Sequence, residues 1–163
     1  MKAVTHNLFS VGVEVYFVSV VRAFWPSSLL LGAWLAVSTG FVIDALGHSG
    51  REGMSVRSWA THSVLTAPLW GAFIGLSTPL VATSLLRVTP DVRLLGFSAL
   101  LGVLAAYSHL LLDSLTEGGV FALRHRIAIA HFGNNNLVLN SAFSLFGIVL
   151  CLAGLGFVSI PIP

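Results

Sequence analysis

The sequence predicts an all-α, polytopic membrane bundle of about five transmembrane helices, and three observations carry that prediction. Of 163 residues, 56% are hydrophobic and only 9% are charged, with a mean hydropathy of +0.93; an ordinary soluble domain is about one quarter charged. Several apolar runs reach the roughly 20 residues a helix needs to cross a hydrocarbon core. Most charged residues gather in short stretches between those runs. Such a chain has no room for a separate soluble domain, so residues 1–163 are expected to form a single transmembrane domain.

The spans are expected at residues 6–21, 27–47, 60–86, 94–112 and 137–158. In the first, "SVGVEVY" alternates like a strand, but an unpaired strand in lipid leaves its backbone groups unsatisfied, so a helix is favoured. The N-terminal segment lacks a small-residue cleavage site, and Glu14 interrupts its apolar run; it is expected to be retained rather than removed as a signal peptide. The third span contains Pro68 and Pro79, which predicts a kink or a tilt. Trp25 and Trp59 fall at span ends, where amphipathic rings favour the membrane interface. The connections are "RAFWP", "HSGREGMSVRSW", "RVTPDVR" and "SLTEGGVFALRHRIAIAHFGNNN".

The charge pattern excludes some partners. Eight scattered Lys and Arg against six acids form no basic stripe of the kind that binds nucleic acid; membrane lipids are the expected surroundings. The single cysteine, Cys151, lies in an apolar run, which rules out an internal disulfide and a cysteine-based zinc knuckle.

Five crossings place the N-terminus, the second-to-third connection and the fourth-to-fifth connection on one face. That face carries Lys2, Arg51, Arg57, Arg124 and Arg126, against Arg22, Arg87 and Arg93 on the other. The excess points to a cytoplasmic orientation of that face. All six histidines fall on the same face: His6, His48, His62, His109, His125 and His131.

Within that face, Asp44-x-x-x-His48 and His109-x-x-x-Asp113 each put a carboxylate and an imidazole four residues apart, on one side of a helix. Alone, either pair reads as an ion pair at a helix end. Two pairs on one face, with His6 and His62 beside them, read better as a mixed nitrogen and oxygen metal shell, in which some members bind and others orient them. Polar groups at membrane depth cost on the order of 2.5 to 3.5 kcal/mol each for a central charge, which argues that so many are used. Arg57, near His62 in "RSWATHS", is a candidate holder of an anionic group, and Thr61 a candidate cap for the third helix. Glu14 either approaches the site from below or is a neutral or Arg22-paired buried acid. Asn140 and "GNNN" either cap the fifth helix or line the pocket. His125 and His131 are expected at the surface, and Glu117 in a turn.

The order Thr5-His6, Asp44 with His48, "THS" at Thr61 to Ser63, and "HLLLDSLTEGG" from His109 resembles the YdjM-like family of inner-membrane metal-dependent hydrolases and its archaeal relatives. The resemblance runs from Thr5 to about Asn140. It departs at "DALGH", where the family has Asp-x-Asp-His, and at "VRSWATHS", where Val56 stands in place of a histidine. It implies a divalent metal, zinc, at a site built from His6, Asp44, His48, His62, His109 and Asp113.

The expected function is therefore metal-dependent hydrolysis near one membrane surface, on a phosphoester or ester of lipid type, with Asp44 or Asp113 as general base if it is not itself a ligand. A cation or proton transporter would need polar groups along the whole path to the other face. A scaffold would need a closed four-ligand metal.

Overall fold

In a computed structural model of the chain, residues 1–51 and 54–158 are described, apart from the side chains of residues 48–51 and 54–56. They form five α-helices: α1 (Ala3–Val21), α2 (Ser27–Gly47), α3 (Ala67–Leu86), α4 (Val92–Ser114) and α5 (Leu137–Gly154). Each is long and apolar enough to cross a membrane. Two antiparallel hairpins interrupt the helical pattern, β1 (His48–Arg51) with β2 (Met54–Arg57), and β3 (Val120–Ala122) with β4 (His125–Ile127).

The distribution of polarity is that of a protein in lipid. Leu30, Leu69, Phe73, Leu85, Leu137 and Val138 are among many large apolar side chains on the outside, while Ser10, Glu14, Thr39, His62, Ser98, His109 and Asp113 are buried. Apolar surface costs little when it faces acyl chains, so burying it cannot drive the helices together; van der Waals packing and close backbone approach must do so. Small residues supply that approach. A Cβ on Gly102 would lie 2.0 Å from the Gly71 carbonyl oxygen, and one on Gly12 would lie 2.1 Å from that of Gly147. These contacts join α3 to α4 and α1 to α5. The register of the close approaches, Gly71 to Gly102 and Gly75 to Ser98, makes α3 and α4 antiparallel, whereas Leu8 to Gly147 and Val15 to Gly154 make α1 and α5 parallel.

Local chemistry fixes the helix ends. Asp91 accepts a hydrogen bond from the Arg93 amide, and Asn136 accepts one from the Leu139 amide, so α4 and α5 each begin at a side-chain cap. Asn140 does not line the site. Its Oδ1 accepts from the Lys2 amide and from Thr5 Oγ1, and its Nδ2 donates to the carbonyls of Asn134 and Asn136, tying the start of α5 to the start of α1. Arg22 ends α1 with its guanidinium over the Trp25 ring, 5.2 Å from the centroid, and is not paired with Glu14, whose neighbours are Gly32 and Val18.

The third span corrects the sequence reading. It starts at Ala67, not at residue 60, with Pro68 in the first turn where its missing N–H costs nothing. Residues 58–66 instead fold back as a loop. The Ser58 amide donates to Gly47 O, the Phe121 amide to His62 O, and the Val64 amide to Phe121 O, so the loop is pinned to the end of α2 and to β3. Thr61 accordingly caps no helix; Thr66 precedes α3. The first and fourth helices are longer than expected, starting at Ala3 and ending at Ser114, and the fifth ends at Gly154.

Two apolar clusters frame the result. Val18, Leu35 and Leu101 fill the deep end, and Ile43, Ala67, Ala106, Leu110 and Val120 pack directly around the end where the histidines gather. A Gly102→Leu variant should lower the unfolding free energy in detergent by about 2 kcal/mol or more, because the facing carbonyl cannot move aside. Gly96→Leu, where an added Cβ meets nothing within 4 Å, should leave the thermal midpoint nearly unchanged.

Candidate metal centre

Four side chains from three segments meet at one end of the bundle. Asp44 comes from the last turn of α2, His62 from the loop after β2, and His109 and Asp113 from successive turns of α4. Each offers one ligand atom, and the four atoms lie within 4.8 Å of one another. His109 Nε2 is 3.3 Å from Asp44 Oδ1 and 3.4 Å from Asp113 Oδ2; His62 Nε2 is 3.5 Å from each of the same two oxygens. The imidazole nitrogens and carboxylate oxygens thus alternate around one point.

Helical geometry accounts for the α4 pair: a spacing of four places His109 and Asp113 on one face. A different device brings in His62. With no Cβ on Gly47, the loop packs onto the end of α2; a Cβ there would sit 2.2 Å from Thr61 Oγ1 and 2.4 Å from His62 Cε1. Thr61 Oγ1 is 2.9 Å from His62 Nδ1, a contact that holds the ring and turns Nε2 toward the two aspartates. Burial pushes the His62 pKa down from its ordinary value, opposed by the hydrogen bond to Asp44. The neutral imidazole that results at pH 7 is the form that binds metals.

Asp113 is the most heavily engaged member. Arg57, at the end of β2, donates from Nη2 to Asp113 Oδ1 and from Nη1 to Gly119 O at 2.8 Å and Thr116 Oγ1 at 3.1 Å. Thr116 Oγ1 donates in turn to the Asp113 carbonyl at 2.8 Å. The glycine pair in "LTEGG" serves this contact, since a Cβ on Gly118 would overlap the guanidinium and Gly119 adopts φ +58°. His6, in the first turns of α1, places Nε2 3.3 Å from Asp113 Oδ1 and stacks on His109 with ring centroids 4.3 Å apart. It therefore touches the far oxygen of Asp113, while Oδ2 faces the other ligand atoms.

The residues singled out from the sequence are thus sorted by position. Asp44, His62, His109 and Asp113 come together, with His6 and Arg57 on Asp113 from outside. The Arg57 guanidinium is directed at Asp113 and the β3 turn. His48 no longer shares a helix with Asp44, because α2 ends at Gly47; its side chain lies outside the described residues. His125, His131 and Glu117 are exposed, and Glu14 is buried but does not belong to the cluster. Thr116 was not singled out by sequence, and no spacing pattern marks it.

The donor set fits a divalent metal. His109 Nε2 and Asp113 Oδ2 are buried and make no hydrogen bond that satisfies normal geometry, although each has an opposite partner within 3.4 Å. Buried polar atoms are ordinarily satisfied, and lone pairs converging at slightly more than hydrogen-bond length are what shared ligation of a cation requires. Two imidazoles and two carboxylates offer the nitrogen and oxygen donors that such a cation accepts. Three of the four residues are buried, whereas the Asp44 side chain is 34% exposed, so the cluster is open on one side.

The chain belongs to the family described as "Protein of unknown function (DUF1286)", whose pattern matches residues 1–112. No curated protein and no solved structure matches it. The matched stretch contains Asp44, His62 and His109 and ends just before Asp113.

Removing Arg57 tests how the centre is held. Arg57→Met should cost about 3 kcal/mol of stability, since it leaves a buried carboxylate without its cation, and should weaken metal binding about 10- to 100-fold, as loss of an orienting partner does. Thermal melting and metal titration of the purified variant measure the two effects separately.

Proposed function

We propose that the chain is a membrane-embedded, metal-dependent hydrolase that uses His62, His109 and Asp113 to hold one divalent metal, zinc being the best fit, with Asp44 beside it as general base, and acts on a phosphoester or ester at the depth of the lipid headgroups. The observation that carries this reading is the asymmetry of the cluster: three buried members that can ligate, and a fourth, Asp44, partly exposed at an opening. A metal that only tied helix ends together would be enclosed on all sides, whereas a catalytic one keeps a position for water.

A metal held there supplies a Lewis acid and brings the pKa of a bound water near 7. The protein's own groups do the rest. His62 and His109 would bring one ring nitrogen each, and Asp113, fixed by Arg57 and His6, would bring one oxygen in a set direction. Asp44, the partly exposed member, stands at the opening, where it is placed to take a proton from water or to orient it. Apolar packing from Ile43, Ala67, Ala106, Leu110 and Val120 keeps the surroundings poor in water, which strengthens each electrostatic contact.

The resemblance to the YdjM-like family supports the same activity. Transport is less favoured. Beyond Ser10 and Ser108, joined by a 2.7 Å hydrogen bond, comes Glu14, and past it the buried polar groups among the described residues are hydroxyls such as Ser28 and Ser98, around the apolar cluster of Val18, Leu35 and Leu101. No buried carboxylate or imidazole among them offers a cation or proton a step toward the other face.

Metal analysis of the purified protein should give one zinc per chain, and the double variant His109→Ala, Asp113→Ala should carry none. Asp44→Asn should lower hydrolysis of phosphoester or ester lipids by about 100-fold or more, the scale of a lost general base. Full activity in Asp44→Asn, or zinc retained by the double variant, would remove the basis for the proposal.

A further inference from the structure

The opening beside Asp44 leads somewhere specific. A groove of about 660 Å³ runs between α1 and α2, and Asp44 is at its upper end together with Asn7. From there it descends along α2 past Phe41, Gly40 and Val37 to Trp34. Gly40 makes the junction with the metal cluster, because a Cβ there would lie 3.3 Å from His109 Nδ1 and 3.7 Å from Asn7 Oδ1. Gly40 is thus the backbone that separates the groove from the His109 ring.

Its polarity is graded. Asp44 and Asn7 stand at the end near the membrane surface, and the deep wall is Val37, Phe41 and Trp34, of which Phe41 is 69% and Trp34 60% exposed, together with Ser38, whose hydroxyl donates to the Trp34 carbonyl at 2.8 Å. Its length is also informative. Ten helical residues from Trp34 to Asp44 rise about 15 Å, half of the roughly 30 Å hydrocarbon core. The groove therefore extends from headgroup level to about the bilayer midplane, the depth of a single leaflet. A second apolar cavity of about 540 Å³, between α4 and the β3–β4 hairpin, includes Tyr107 and Ile129 but none of the four cluster residues, so it has no such relation to the chemistry.

We infer that the α1–α2 groove binds one membrane lipid from the side, with its long apolar chain along Trp34, Val37 and Phe41 and its ester or phosphoester group at Asp44 and Asn7. This rests on the hydrolase reading for the fate of the headgroup, but the lipid site itself stands on the groove. It explains why the one partly exposed member of the cluster faces a slot open to the bilayer: the substrate need not leave the membrane. It also assigns a role to Gly40, where an added side chain would crowd the junction between the slot and the cluster.

The full-length protein, reconstituted in phosphatidylglycerol vesicles, can be photolabelled with two phosphatidylglycerol probes, one carrying a diazirine at the end of an acyl chain and one in the headgroup. The chain-end probe should label Trp34 and Val37, and the headgroup probe Asn7 and Ala45. Val37→Trp should reduce both labels about tenfold, equivalent to roughly 1.4 kcal/mol of lost binding. Trp34→Ala, which removes wall rather than adding bulk, should lower chain-end labelling and serves if the first variant does not fold. Labelling spread evenly over α2, α3 and α5 would show ordinary surrounding lipid and overturn the inference, as would crosslinked dimers through α2 or labelling unchanged in both variants. Zinc analysis of the same wild-type samples separates the two readings. Localised labelling without zinc would sink the hydrolase and leave the lipid site standing, whereas zinc with uniform labelling would do the reverse.

Discussion

The arrangement depends on the Asp113 carboxylate. It sits at the membrane-surface end of α4 with almost no exposure, a position where an unpaired negative charge would cost several kcal/mol. One oxygen is met by Arg57 and His6, the other by His62 and His109. Each of those partners comes from a different part of the chain: the end of β2, the start of α1, the loop before α3 and the preceding turn of α4. Satisfying this one group therefore fixes where α1 begins, how the 58–66 loop folds back, and how the β3 turn closes around Arg57.

That constraint also explains an unusual division of labour in the fold. Over the lipid-facing lengths of the helices, packing relies on glycine contacts, which bring backbones together but specify little about the ends. Orientation at the ends is left to polar groups, which are worth more where water is scarce. The hairpins β1–β2 and β3–β4 carry Arg57 and the Gly118–Gly119 turn to the same carboxylate. On the α2 flank, Asp44 remains partly exposed.

Much of this was legible in the sequence, and the limits are instructive. The spans follow from apolar runs, and His109 with Asp113 follows from helical spacing, because both depend on local periodicity. The placement of His62 does not. Its neighbours in "RSWATHSVLTAP" are apolar enough to extend a helix, and the loop forms because strand-like hydrogen bonds to Phe121, far along the chain, compensate for the lost helical turns. For the same reason the expected Asp44 and His48 pair was read across a helix end that the sequence does not mark. Arg57 was noticed but assigned to an anionic ligand; its partner is 56 residues away, beyond any local pattern. The groove leaves no sequence signature, since Trp34, Val37 and Phe41 look like any lipid-facing helix surface.

The central claim is that His62, His109 and Asp113 hold one metal beside Asp44, and X-ray absorption spectroscopy of the zinc-loaded protein tests it most directly. The account predicts a first shell of nitrogen and oxygen only, at about 2.0 to 2.2 Å, with outer-shell scattering from two imidazole rings that falls by half in His62→Ala. A sulfur shell, or a zinc surrounded by oxygen without imidazole scattering, would contradict it.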